Sequence, residues 1–238
     1  MRYTGEQLIL GAPETIGRTQ KEHLKRYDFT FPFTKNKRVL DIACGTGYGV
    51  HLIKSKGEAL YVHGVDISDE AIKFARDKYK INGIDFFIED AQKFTTNPLG
   101  ELYDVITSFE TIEHVDDYEK TLNNFYNLLQ PGGLLIISTP NRPVTSPSTT
   151  LIMDKPNNPF HVREFSSDEF QIIVQKNFTV SDADLFGQCA SLHSDNRYIN
   201  KLMKILYKKS TRYSPEVRPI KDLPSLKYLV ITAHKSIK

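Results

Sequence analysis

Along most of this chain, short β-branched runs alternate with stretches in which apolar side chains return every three or four positions. Residues 38–42 (RVLDI) form the first run, which flows into the glycine-rich corner CGTGYG at 44–49. The helix opened by this corner is predicted at Tyr48 to Lys56, and the second strand at Tyr61 to Asp66. Ser68 is placed to cap a helix with Ala71, Ile72, Ala75 and Tyr79 on one face, its acids early and Lys78 and Lys80 late, as the helix dipole favours. Strands are predicted at Asp85–Ile88, Tyr103–Phe109 and Gly133–Thr139, with a helix from Asp117 to Leu129 ahead of Pro131 and Gly132. Ser167–Lys176 reads as a helix, and Phe178–Phe186 and Tyr228–Ala233 as two further strands. Such alternation predicts an α/β fold with a doubly wound, mainly parallel sheet whose ligands gather outside the carboxyl ends of the strands.

Three segments break the rhythm. Residues 1–34 precede the first strand and stand apart from a single domain over 35–238. Residues 140–165 carry five prolines among Ser, Thr and Asn, so a long loop is expected on the carboxyl side of the sheet. Residues 187–222 read as a helical insertion, with Ile199, Leu202, Met203 and Leu206 on one face of a helix from Tyr198 to Lys209 and lysines on the other.

Composition narrows the partners. Lys and Arg total 31 against 29 for Asp and Glu, so the net charge of +2 gives no general electrostatic case for nucleic acid. No run approaches the ~18 apolar residues of a membrane span, and the start MRYTGEQLIL lacks a signal-peptide layout, which makes a cytoplasmic protein the expectation. A small-molecule or sugar-linked acceptor is the expected partner, and a homodimer is admitted. Two cysteines, Cys44 and Cys189, give neither a disulfide framework nor zinc spacing. Cys44 reads as a small packed residue of the corner, and His51, His63 and His193 as packing or surface residues.

The chemistry begins at Asp41, where the first strand meets the corner. A dinucleotide would lay its pyrophosphate here, and a carboxylate about 5 Å away repels each phosphate charge by about 3 kcal/mol at an effective dielectric near 20. S-adenosylmethionine reverses that sign, because it brings an ammonium and a sulfonium. The spacing agrees: Gly45, Gly47 and Gly49 form G-x-G-x-G, and Val50 stands where a dinucleotide fingerprint needs its third glycine. Asp66 closes the second strand about 20 residues later, in place to accept from both ribose hydroxyls. Asp90, followed by Ala91, is placed to take the adenine amine, with Ile67 and Phe94 flanking the ring; the alternative is that EDA merely starts a helix.

The motifs VLDIACGTGYG, GVDIS, EDAQ, YDVITSFETIEHV and PGGLLIISTPN stand in an order and at intervals that resemble the class I S-adenosylmethionine-dependent methyltransferases over residues 35–140. That resemblance implies a Rossmann-like sheet of seven strands, the last antiparallel. It implies S-adenosyl-L-methionine as cofactor, held by Asp41, Ala43, Gly45, Gly47, Tyr48, Asp66, Ile67, Asp90, Ala91 and Phe109. Glu22-His23-Leu24-Lys25-Arg26-Tyr27 resembles a subgroup associated with polysaccharide biosynthesis, in which a short helix covers the methionine end of the cofactor; a plain surface helix is the other reading. Tyr3, Tyr27 and Tyr48 are candidates for that pocket or for core packing.

The fourth strand ends at Phe109-Glu110-Thr111-Ile112-Glu113-His114. If helical, Glu110, Glu113 and His114 share one face at i, i+3 and i+4, and with His161 as a fourth ligand the set suits Mg²⁺, Mn²⁺ or Fe²⁺. The small-RNA 2′-O-methyltransferases and the ubiquinone-pathway O-methyltransferases are similar here, which implies a vicinal diol aimed by the metal at the sulfonium methyl. Without metal, Glu113-His114 starts a helix over the cofactor, and His114 or His161 serves as general base. Arg142 and Arg163 are candidates for an acceptor phosphate. The expected activity is O-methylation of a sugar or sugar-like diol, with His114, His161 and Glu113 at the reaction centre. The alternatives are N- or C-methylation of a small metabolite, a cofactor-binding protein without catalysis, and an NAD-dependent oxidoreductase.

Overall fold

A computed structural model describes residues 8–10, 17–189, 215–222 and 226–237. In chain order the elements are α1 (Arg18–Thr34), β1 (Arg38–Ile42), α2 (Tyr48–Ser55), β2 (Tyr61–Asp66), α3 (Asp69–Tyr79), β3 (Ile84–Ile88), β4 (Tyr103–Phe109), α4 (Tyr118–Leu128), β5 (Leu129–Pro140), α5 (Arg142–Thr145), α6 (Ser167–Gln175), β6 (Leu185–Cys189), β7 (Arg218–Pro219) and β8 (Leu226–His234). The strands join in one sheet of order β3-β2-β1-β4-β5-β8-β6-β7. β3, β2, β1, β4 and β5 run parallel, and β8 lies antiparallel between β5 and β6.

Local rules set the helix starts. Ser68 accepts from the Ala71 N–H at 3.2 Å, with Asp69 and Glu70 in the first turn of α3. Ser166 and Glu169 form a reciprocal capping box on α6. The central strands are buried on both faces, which explains their continuous apolar runs. One face is covered by α1, α2 and α3 through Tyr27, Val50, Ile53, Ile72 and Ala75; the other takes α4 and α6 through Leu122, Phe125, Phe170 and Val174.

Four expectations are corrected. The sheet has an eighth strand, because Arg218–Pro219 adds a two-residue edge beside β6. The strand expected at Phe178–Phe186 lies later: Thr179 makes only an isolated bridge to His234, a 3₁₀ turn spans Asp182–Asp184, and β6 takes Leu185–Cys189, where the helical insertion was expected to begin. The 140–165 loop contains the short helix α5, and Asn141 bridges to Phe165, which ties the loop's two ends together. Residues 110–117 are turn rather than helix. The expected helix at Tyr198–Lys209, His193 and Tyr3 lie outside the described residues. Among the described residues no helix is long and apolar enough to cross a membrane.

Candidate active site

Strand order reverses between β1 and β4, and a crevice opens there at their carboxyl ends. Ala43 and Glu110, immediately after these two strands, hold φ of 57° and 53°. Left-handed backbone at a residue with a side chain costs on the order of 1 kcal/mol or more and persists only where the surroundings impose it. Between the two turns lies a cavity of about 430 Å³.

One side of it is built from the corner and the ends of β2 and β3. Asp66 holds both carboxylate oxygens at the cavity edge by accepting the Gly45 N–H at 2.8 Å and the Ser68 N–H at 2.9 Å. Burial pushes its pKa up, and the two backbone donors offset part of that. Gly45, at φ 53°, leaves open space where a side chain would stand, so a ligand can approach the backbone. Gly49 serves packing instead: a Cβ there would lie 1.9 Å from the Tyr27 ring. Of the residues expected to hold the cofactor, Ala43, Gly45, Tyr48, Asp66, Ile67, Asp90, Ala91 and Phe109 line the cavity. Gly47 does not; it caps α2 and its missing side chain is space filled by Ala75 and Phe86. Phe94 also departs from expectation, since it is buried in the core beneath α4.

Asp41 is the larger departure. It is fully buried under the cavity wall rather than in it, accepting from Thr107 Oγ1 at 2.6 Å and Tyr27 Oη at 2.9 Å. Burial raises its pKa to about 7, the two hydroxyls opposing the rise and Asp66 adding to it. Tyr27, which donates to it, lines the cavity in its place. Cys44 is likewise a packed residue, its thiol pushed up by burial and by Asp41 and Asp66.

On the opposite side His114 lines the cavity while Glu113 and His161 stand behind it, one ligand atom from each of the three lying within 4.8 Å of the others. The two imidazole rings meet edge to face, 4.8 Å between centroids. His114 Nδ1 stands 3.1 Å from the Phe160 carbonyl, which can only accept, so Nδ1 carries the hydrogen. His114 Nε2 stands 4.0 Å from Glu113 Oε1. Oε1 is buried without a hydrogen bond, while Oε2 accepts from Thr139 at 3.0 Å. Burial and the neighbouring Glu110 push the Glu113 pKa well up. Glu110 lines the cavity but stands outside the three-residue group; Ser138 donates to its Oε1 at 2.7 Å. With no helix at 110–114, the i, i+3, i+4 face that was to unite Glu110, Glu113 and His114 does not form.

The two arginines proposed for an acceptor phosphate are committed elsewhere. Arg142 binds Glu169 and the Thr150 and Glu164 carbonyls, and Arg163 binds the Val115 and Asp116 carbonyls and covers the Tyr118 ring. Both brace the loop. Cavity residues that the sequence reading missed include Leu8, Thr46, Gln92, Thr111 and Phe160. Thr46, Gln92 and Thr111 stand inside the motifs that contain Gly45, Asp90 and Glu110, and Phe160 directly precedes His161. The segment Glu22–Tyr27 is no surface helix: Glu22, Arg26 and Tyr27 are buried, and Arg26 lies over the Tyr228 ring and donates to Gln188 at 2.5 Å. His23 lines the cavity 3.0 Å from Tyr48 Oη, its pKa lowered by burial, Arg26 and Lys227.

A mainly parallel sheet with a cavity at its switch point, edged by Asp66 and Asp90, defines a doubly wound α/β domain. Residues 33–210 match the family model described as "Methyltransferase domain". A protein of Mycolicibacterium smegmatis named a probable S-adenosylmethionine-dependent methyltransferase is 31% identical over 185 residues, covering 75% of this chain and 66% of that protein. The ubiquinone biosynthesis O-methyltransferase of Aromatoleum aromaticum is 36% identical over 44% of this chain and 45% of its own length. The N-methyltransferase NodS of Bradyrhizobium japonicum, solved with S-adenosyl-L-homocysteine, shares the fold at a TM-score of 0.60 and 16% identity, covering 92% of this chain and 87% of NodS. The chain thus spans between about half and two thirds of the length of these curated relatives. It belongs to the methyltransferase-domain family, within the class I S-adenosylmethionine-dependent methyltransferases.

Proposed function

We propose that the protein is an S-adenosylmethionine-dependent O-methyltransferase acting on a hydroxyl of a sugar or sugar-like vicinal diol, in polysaccharide or glycoconjugate assembly, with a divalent cation on Glu113, His114 and His161. The observation that carries the acceptor reading is Glu113 Oε1, an acceptor without a hydrogen bond in the interior, with the His114 and His161 imidazoles within 4.8 Å of the carboxylate. An unpaired buried oxygen costs on the order of 1–3 kcal/mol, and a cation or a proton satisfies it. Carboxylate and imidazole donors fit Mg²⁺, Mn²⁺ or Fe²⁺. The O-methyltransferase among the relatives favours oxygen as the target.

In this reading Asp66 accepts from the ribose hydroxyls, Asp90 from the adenine amine, and Ile67 and Ala91 flank the ring. Asp41, through Tyr27, favours the positive end of the ligand; Ala43, Gly45, Tyr48 and Phe109 close the wall around it. When bound, S-adenosylmethionine supplies an electrophilic methyl on a cationic sulfur. A bound divalent cation would lower the pKa of a chelated hydroxyl. Holding the cation, Glu113, His114 and His161 would place the diol beside the methyl, so that orientation does much of the catalysis; without a cation, His114 or His161 takes up the hydroxyl proton. Turnover with a catechol and a sugar diol, measured before and after EDTA and in Glu113→Ala and His161→Ala, tests this reading. Loss in all three is expected. Full turnover after EDTA would remove the cation and leave the imidazoles as bases.

A further inference from the structure

His161 has its two ring nitrogens defined from opposite sides. Glu164 places Oε1 2.6 Å from Nδ1, and a carboxylate only accepts, so Nδ1 carries the hydrogen. At the other nitrogen, Asn158 Nδ2 stands 2.8 Å from Nε2. The amide cannot be turned round, because Asn158 Oδ1 already accepts the Phe160 N–H at 3.1 Å. The group facing Nε2 is therefore an NH₂, which only donates, and Nε2 must be a lone pair. A doubly protonated ring would set hydrogen against hydrogen at this contact. Glu164 is itself buried and fixed, its Oε2 accepting from Thr145 Oγ1 at 2.5 Å.

We propose that Glu164 is a positioning residue of the acceptor side: it holds His161 in the Nδ1–H form with Nε2 as acceptor or ligand, and Asn158 covers that lone pair until a hydroxyl or a cation takes its place. This rests on the assignment of His161 to the reaction centre. A hydrogen bond at one ring nitrogen decides the role of the other, and such outer partners typically carry about 10- to 100-fold in metal affinity or activity.

The test is a ¹⁵N–¹H correlation spectrum of the histidine rings of the full chain, His161 being identified by the signal missing in His161→Asn. Wild type is expected to show a protonated Nδ1 and an unprotonated Nε2. Glu164→Met, which keeps the volume and removes the acceptor, is expected to move the proton towards Nε2. It should also weaken Mn²⁺ binding, read by electron paramagnetic resonance, by about 10- to 100-fold while leaving S-adenosylhomocysteine affinity unchanged. A wild-type ring protonated on Nε2 overturns the proposal without any variant, as does a Glu164→Met protein in which tautomer and Mn²⁺ affinity are both unaltered. Wild type that shows the expected tautomer yet binds no Mn²⁺ overturns the cation but supports the role of Glu164, which then shows as a lower kcat with unchanged KM for the methyl donor.

Discussion

The adenosyl side of the crevice is made from three strand ends and the residues just after them, whereas the acceptor side joins pieces far apart in sequence, His114 meeting the Phe160 carbonyl across 46 residues. Asp66 is fixed by backbone N–H groups of the corner and of its own turn. Glu113, by contrast, is held by Thr139, and His161 by Glu164 and Asn158. Backbone contacts survive most side-chain substitutions, while a network of side chains changes with each member. The difference suits a common methyl donor on one side and a particular acceptor on the other.

The contrast breaks if the two sides cannot be separated by mutation. His161→Ala is expected to lower turnover by about 10²- to 10⁴-fold, the range for removing a general acid or base, with S-adenosylhomocysteine affinity unchanged in calorimetry. A parallel fall in that affinity would merge the two sides.

Asp41 sharpens the contrast through pH. Its folded pKa of about 7 stands above the unfolded value near 3.9, so the folded chain keeps this proton where the unfolded chain releases it. The stabilisation is full below pH 4 and is lost as pH rises to 7, a change of up to about 4 kcal/mol for this group. Asp41→Asn is expected to flatten that slope in urea unfolding without ligand. An unaltered slope would show that Asp41 ionises freely in the fold.

On the adenosyl side, Asp66→Ala should weaken S-adenosylhomocysteine binding by about 100-fold, from the loss of charged hydrogen bonds of about 1.5–3 kcal/mol each. Calorimetric affinity within a few fold of wild type would deny Asp66 its ribose role. The smallest effect is structural. Gly49→Ala drives a Cβ into the Tyr27 ring and should cost about 1–3 kcal/mol, read by urea unfolding, with no change if the ring can swing clear.

What the sequence reveals follows the same division. A strand, a corner and an acid at a strand end are local patterns, so Gly45, Asp66, Asp90 and Ala91 were placed on the cavity from the sequence pattern. The acid at Asp41 is legible in the sequence and its burial is not, because nothing in RVLDI says that Tyr27 and Thr107 will cover it. The buried face of α1 was ambiguous for a related reason: Glu22 and Arg26 are charged, and only their partners Lys227 and Gln188, over 160 residues away, bring them inside. On the acceptor side the residue types Glu113, His114 and His161 were readable. Their union through a turn rather than a helix was not, since the left-handed Glu110 that redirects the chain is set by packing at the switch point.

The most direct test of a donor site built around Asp66 and the glycine corner is calorimetric titration of the wild-type chain with S-adenosylhomocysteine and, separately, with NADH. One saturable site for S-adenosylhomocysteine, lost in Asp66→Ala, with no heat from NADH, is the expected result. Saturable NADH binding with none for S-adenosylhomocysteine would contradict it.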